Sequence, residues 1–117
     1  MANAWEVPGG QFSLDAAAKL DWRRFVKVDS TGKAAYATAA TDPIVGITYT
    51  EAPAAGVPIS IVGAGIAMVE ASEAIAAGDF VVPTTGGQAA KLADGTSRFI
   101  ALTGVSAADN LITVKIA

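Results

Sequence analysis

The chain has 117 residues, 52% of them hydrophobic, a formal net charge of −3, and neither Cys nor His. That length fits one domain, commonly about 100–150 residues, with a core of its own. The missing Cys and His exclude disulfides, thiolate metal sites, the commonest general base and the commonest neutral metal ligand, and the acidic balance argues against bare nucleic acid as a partner.

Residues 1–15 hold Trp5, Pro8-Gly9-Gly10 and Phe12 with neither a helical nor a strand period, so they read as an N-terminal arm. The start has no basic n-region and no apolar h-region, so no secretory signal is expected. Ser13 is placed to N-cap a short helix over residues 16–20, where Ala is frequent.

From Arg24 onward the pattern is that of strands. Residues 24–28 and 33–37 flank Asp29-Ser30-Thr31-Gly32, in which Asp can cap its own backbone and Gly accepts positive φ, and the pair reads as a hairpin. Asp42-Pro43 breaks the chain before a strand over 44–49, and an Ala- and Gly-rich loop leads into 57–62, where Val57, Ile59 and Ile61 share one face at period two. Gly63-Ala64-Gly65 reads as a tight turn, and residues 66–71 as a strand joining two halves. Strands then follow at 80–83, 88–92, 98–105 and 111–116, separated by Gly-containing turns and a polar loop.

The longest apolar run, residues 61–69, is broken by glycines and stopped by Glu70, short of the roughly 18–20 residues of a membrane-spanning helix. No membrane association is expected.

A shift of 55 positions (80 − 25) lays the second half on the first. Phe25-Val26 matches Phe80-Val81, and Ala16/Ala71, Gly32/Gly87, Ala34/Ala89, Thr48/Thr103, Ala52/Ala107 and Ile61/Ile116 are also identical. Short strands with turns every 8–12 residues or so predict an all-β fold, a small sandwich or barrel-like domain. It would occupy residues 16–117, built from pseudo-repeats 16–62 and 71–117, behind the arm 1–15.

Catalytic chemistry finds little support in the residues. Gly63-Ala64-Gly65 begins like a dinucleotide fingerprint, but Met68 holds the third glycine position and a strand follows instead of a helix N-terminus. Glu70, Glu73 and Asp79 are the nearest approach to a paired-carboxylate site, and nothing separates them from ordinary loop acids. With no His to activate any of the serines, no catalytic, cofactor or metal residue is assigned and an enzyme is not expected.

Binding residues stand out more clearly. Both tryptophans and two of the three arginines fall within the first 24 residues, and residues 1–33 carry a net charge of +1 against −4 for the remainder. Trp and Arg dominate interface hot spots, which makes Trp5, Phe12, Trp22, Arg23 and Arg24 the candidate contact residues. Trp22 and Phe12 could equally close one end of the core. Under the shift, Trp22-Arg23-Arg24 replaces Ala77-Gly78-Asp79, so the earlier turn is the one expected to bind.

The run Val57-Pro-Ile-Ser-Ile-Val-Gly63, then Ile66-Ala-Met-Val-Glu70, then Ile75-Ala-Ala-Gly-Asp-Phe-Val-Val82 with Gly87 and Ala89-Ala90 resembles the capsid decoration, or cement, proteins of tailed phages. Asp42-Pro43-Ile44-Val45-Gly46-Ile47 fits the same pattern, and the resemblance covers roughly residues 20–117. It implies a compact non-enzymatic β domain on the outer surface of an icosahedral head, often a trimer, bridging neighbouring major capsid proteins. The reading from another class is an adhesive or carbohydrate-binding β domain displayed on a particle or cell surface.

Overall fold

The computed structural model describes residues 7–116, with side chains from residue 10 onward, so Trp5 lies outside the described residues. The chain forms β1 (Val7–Asp15), β2 (Phe25–Val28), β3 (Ala34–Tyr36), β4 (Ile44–Thr48), β5 (Pro58–Glu70), β6 (Phe80–Pro83), a 3-10 turn (Thr85–Gly87), β7 (Ala89–Lys91), β8 (Phe99–Ala101) and β9 (Leu111–Ile116). All strand pairings are antiparallel, and the sheet order is β3-β2-β4-β5-β9-β8-β6-β7 with β1 paired to β5.

The sheet curls back on itself. β2 and β8 are four strand spacings apart along the sheet, roughly 19 Å if it were flat, yet the Phe25 and Phe99 rings meet at 4.7 Å. Phe25, Ile47, Val62, Val69, Val81, Phe99, Ile112 and Val114 fill the enclosed space, and a second cluster around Leu20, Val26, Ile59 and Ile61 is packed beside it. The all-β, barrel-like architecture expected from the strand pattern is present.

β5 organises the rest. Its first half pairs with β1 on one edge and β4 on the other, and its second half pairs with β9. Gly63-Ala64-Gly65, expected to turn the chain, lies inside this strand. The β1 register passes from Gly10↔Ala64 to Gln11↔Val62, so Gly63 is the extra residue of a bulge. A Cβ at Gly63 would meet Phe12 Cε1 at 2.8 Å and the Val45 carbonyl at 3.2 Å. Close backbone approach, which also calls for Gly, is what these residues serve.

Two further expectations differ from the structure. Residues 16–20 form no helix: Ala16 bridges Ala34, Leu20 bridges Ala52, and both side chains are buried. Their N–H groups bond laterally to the Val57 and Ala52 carbonyls at 2.9 Å, and these tertiary bonds outweigh the helix propensity of alanine. Residues 7–15, read as lacking a strand period, form β1. Pro8-Gly9-Gly10 and two register shifts hide its alternation.

Hydrogen bonds recur between the halves. Ala17 N–H to the Ala34 carbonyl and Ser72 N–H to the Ala89 carbonyl stand 55 residues apart (72 − 17, 89 − 34). Beyond the β3–β4 loop the offset becomes 53: Tyr49 N–H to Ser60 O corresponds to Leu102 N–H to Thr113 O (102 − 49, 113 − 60). The loop before β8 is therefore two residues shorter, and Thr48 stands where the second half has Ala101, not Thr103. β1 and residues 65–70 of β5 also correspond, Leu14↔Ile59 matching Val69↔Ile112.

Turn chemistry holds the β2–β3 hairpin. The Asp29 carboxylate accepts from Thr31 Oγ1, Thr31 N–H and Lys33 N–H at 2.7–3.0 Å, and the Thr31 hydroxyl bond is the main cause holding its pKa below the usual carboxylate value.

Candidate binding surface

The turn from Asp21 to Arg24 enters β2. Arg23 N–H donates to the Thr48 carbonyl at 2.9 Å, Arg24 N–H to Thr48 Oγ1 at 3.0 Å, and Thr48 Oγ1 to the Asp21 carbonyl at 2.9 Å. This path puts Arg23 at φ 60, in the left-handed region. The corresponding turn of the second unit has Gly78 there, at φ 92, with its N–H on the Ala101 carbonyl at 2.7 Å. Gly adopts that conformation freely, whereas a side chain costs about 1–2 kcal/mol.

The Arg23 side chain accounts for its presence. Its guanidinium carbon lies 5.0 Å from the Trp22 ring centroid and 5.0 Å from that of Tyr49, and the residue is only 8% exposed. A desolvated cation between two rings contributes about 2 kcal/mol, enough to offset the backbone strain. Tyr49 packs against the main core, while Trp22 remains 54% exposed. Beside them a hollow of about 420 Å³ is lined by Trp22, Tyr49, Thr50 and Glu51. Arg23→Gly, which restores the second unit's turn, is expected to cost only about 1 kcal/mol while freeing the Trp22 ring; denaturant unfolding and Trp fluorescence anisotropy check both parts.

Arg24 points elsewhere. Its Nη1 donates to the Gly86 carbonyl at 3.0 Å and its Nη2 to Glu70 Oε1 at 3.1 Å, with Asp21 Oδ2 at 3.9 Å. Gln88 Nε2 joins the same Glu70 oxygen at 2.7 Å and reaches Asp109 Oδ1 at 2.9 Å. Arg24 thus ties the first unit to the second instead of facing solvent. Glu73 Oε2 accepts from Lys91 N–H at 3.0 Å and Asp79 Oδ2 from Ala76 N–H at 2.9 Å, so the three carboxylates weighed as a catalytic group each hold backbone or a neighbouring side chain.

Phe12 is 40% exposed on β1, directly opposite Ile61, and lies over Gly63. Ile61 belongs to the smaller cluster and Tyr49 packs on the larger one. Directly paired residues share a face and successive residues alternate, so Phe12 and Tyr49 project from opposite faces of the sheet. The aromatic and basic residues that cluster in sequence therefore divide into two surfaces and one internal tie. Tyr49, Thr50 and Glu51 escaped the sequence reading because a Tyr ending an apolar strand carries no mark of whether it faces core or solvent.

A second concavity, about 470 Å³, lies between the units, with Ile44, Val82, Pro83, Leu92 and Phe99 along it and Arg98 at its rim. Arg98 lies 4.9 Å from the Phe99 ring centroid and reaches the Ile44 carbonyl at 3.3 Å.

No protein-family pattern matches this chain, and no curated protein sequence matches it. Among solved structures it is similar to the N base of head fiber gp8.5 of bacteriophage phi29, with a TM-score of 0.77, 17% identity, and coverage of 92% of this chain and 93% of that one. At that identity the likeness establishes a common fold.

Proposed function

We propose that this chain is a non-enzymatic structural protein of a bacteriophage head, seated on the outer surface of the capsid, where it bridges neighbouring major capsid proteins as a homotrimer. The observation that carries the reading is the fold similarity to a head fiber base, which extends over nearly all of both chains. The resemblance of residues 20–117 to decoration proteins supports the same role. A small protein repeated on a symmetric shell gains from avidity, so modest contacts per copy suffice.

The contact runs along β1 through Phe12 and takes in Trp5. Phe12 is a large apolar side chain exposed on a strand whose outer edge carries no Lys, and such an edge suits strand or apolar contact with a partner. Trp22 adds to the contact only where a neighbouring protomer reaches the opposite face.

Cosedimentation with expanded heads of the phage that encodes the chain tests this. The wild-type protein is expected to saturate a fixed number of sites, and Phe12→Glu to weaken binding tenfold or more, a loss of about 1.4 kcal/mol or above, while the chain stays folded with a melting temperature lowered by a few degrees as Gly63 loses the ring that covers it. A wild-type protein that stays in the supernatant overturns the proposal.

A further inference from the structure

We infer that the hollow beside Trp22 and Tyr49 binds a neutral sugar ring, an activity separate from attachment to a shell and independent of that reading.

The internal duplication sets this surface apart. At the corresponding positions the second unit has Ala77, Gly78, Leu102, Thr103 and Gly104. Thr50 Oγ1 accepts from Ser60 N–H at 3.0 Å just as Thr103 Oγ1 accepts from Thr113 N–H at 2.9 Å, so the two backbones follow one path. The fold therefore builds this turn without Trp22, Arg23, Tyr49 or Glu51. Their presence in one unit, with Arg23 held at a φ that its counterpart leaves to Gly, is not required to make the turn and gives the first unit an aromatic surface that the second lacks.

The chemistry of the hollow selects the ligand. Trp22 offers an exposed ring whose orientation is set by the buried Arg23 guanidinium against it. The Arg23 guanidinium and the Glu51 carboxylate bring opposite charges to the same hollow, so neither a cation nor an anion gains a clear net attraction there. A neutral ligand remains. Thr50 Oγ1 already accepts from Ser60, which leaves its hydroxyl hydrogen to donate, and the exposed Glu51 carboxylate only accepts. A pyranose meets all of these at once, laying its C–H face on the indole, donating a hydroxyl to Glu51 and accepting from Thr50. A purely apolar protein loop would leave both rim groups unpaired.

The test uses the full chain and a panel of neutral hexose and N-acetylhexosamine oligosaccharides, read through the indole N–H signals in ¹H–¹⁵N spectra. At least one oligosaccharide is expected to move the Trp22 indole signal saturably and leave that of Trp5 in place. Trp22→Ala should weaken binding about tenfold or more and Glu51→Gln severalfold, with head cosedimentation unchanged; Glu51→Gln keeps the wild-type melting curve, while Trp22→Ala melts a few degrees lower because Arg23 loses one of its two rings, and stays folded at the assay temperature. No saturable shift with any member of the panel, or equal affinity for Trp22→Ala, overturns the inference. So does loss of head binding in Trp22→Ala without any sugar effect, which identifies the hollow as a protein contact and leaves the head reading standing.

Discussion

Gly46→Ala is expected to lower stability by at least about 3 kcal/mol, or to leave the chain insoluble. Gly46 lies in β4 at φ 154, opposite Val26 of β2. A Cβ there would overlap the Val62 carbonyl oxygen and come within 2.8 Å of both Val62 C and Ile61 Cγ2. Backbone of β5 cannot swing aside as a flexible side chain would, because β5 is simultaneously paired to β1 and β9. Relief would require breaking Ile47↔Val62 and Thr48↔Ile61, the pairs that join the first unit's outer strands to β5. Overpacking of this kind costs about 1–3 kcal/mol in an ordinary core, and the lost ladder bonds add to it. Gly32→Ala is the control: φ is 82 but nothing lies within 4 Å, so only the backbone term of about 1 kcal/mol applies. Urea unfolding of both variants decides the matter, and a Gly46→Ala protein as stable as Gly32→Ala contradicts the close approach.

Arg24→Ala is expected to cost about 2–3 kcal/mol, below the 3–5 kcal/mol of a fully buried ion pair. The side chains of Arg24 and Glu70 are 17% and 25% exposed, so solvent screens part of the pair. The loss strands more than one group. Glu70 keeps Gln88 but loses its counter-ion, and the Gly86 carbonyl loses its donor. Gly86 and Gly87 belong to the turn that closes the curled sheet, where a Cβ at Gly87 would stand 2.5 Å from the Phe25 carbonyl and 3.0 Å from the Tyr36 ring. A double-mutant cycle with Arg24→Met and Glu70→Gln should give a coupling above about 1 kcal/mol. A coupling near zero would mean that the two side chains act independently.

These two sites differ in how visible they were. The dipeptide Val45-Gly46 sits in a strand pattern, where Gly signals close backbone approach, so a constraint of this type was legible in outline. The role of Arg24 was not. Its position between Arg23 and Phe25 suggested a surface contact cluster, and only the meeting of the two units, with Glu70 N–H on the Arg23 carbonyl at 2.9 Å and the Gly86-Gly87 turn against β2, brings Glu70 and Gly86 within its reach. The same holds for Phe12 and Trp22, ten residues apart in the chain (22 − 12), since Trp22 shares its hollow with Tyr49, which projects from the face of the sheet opposite Phe12.

Local patterns were enough to specify most of the strands after Arg24, several of their turns and the recurrence of one pattern, because period-two apolar residues and Gly- or Asp-centred turns act within a few residues, but they missed β1 (Val7–Asp15). They misread Gly63-Ala64-Gly65 as a turn, since a bulge and a turn ask the same freedom of glycine and only the partner strands distinguish them. Residues 16–20 show the converse, as buried lateral pairing overrode a helix former. Which large side chains face solvent, which face each other and which bind the two units together depended on long-range register, and register exists only once the sheet has curled. The asymmetry between Trp22-Arg23-Arg24 and Ala77-Gly78-Asp79 was written in the sequence; that it stacks Arg23 between Trp22 and Tyr49 was decided by the meeting of the β1–β2 turn with the end of β4.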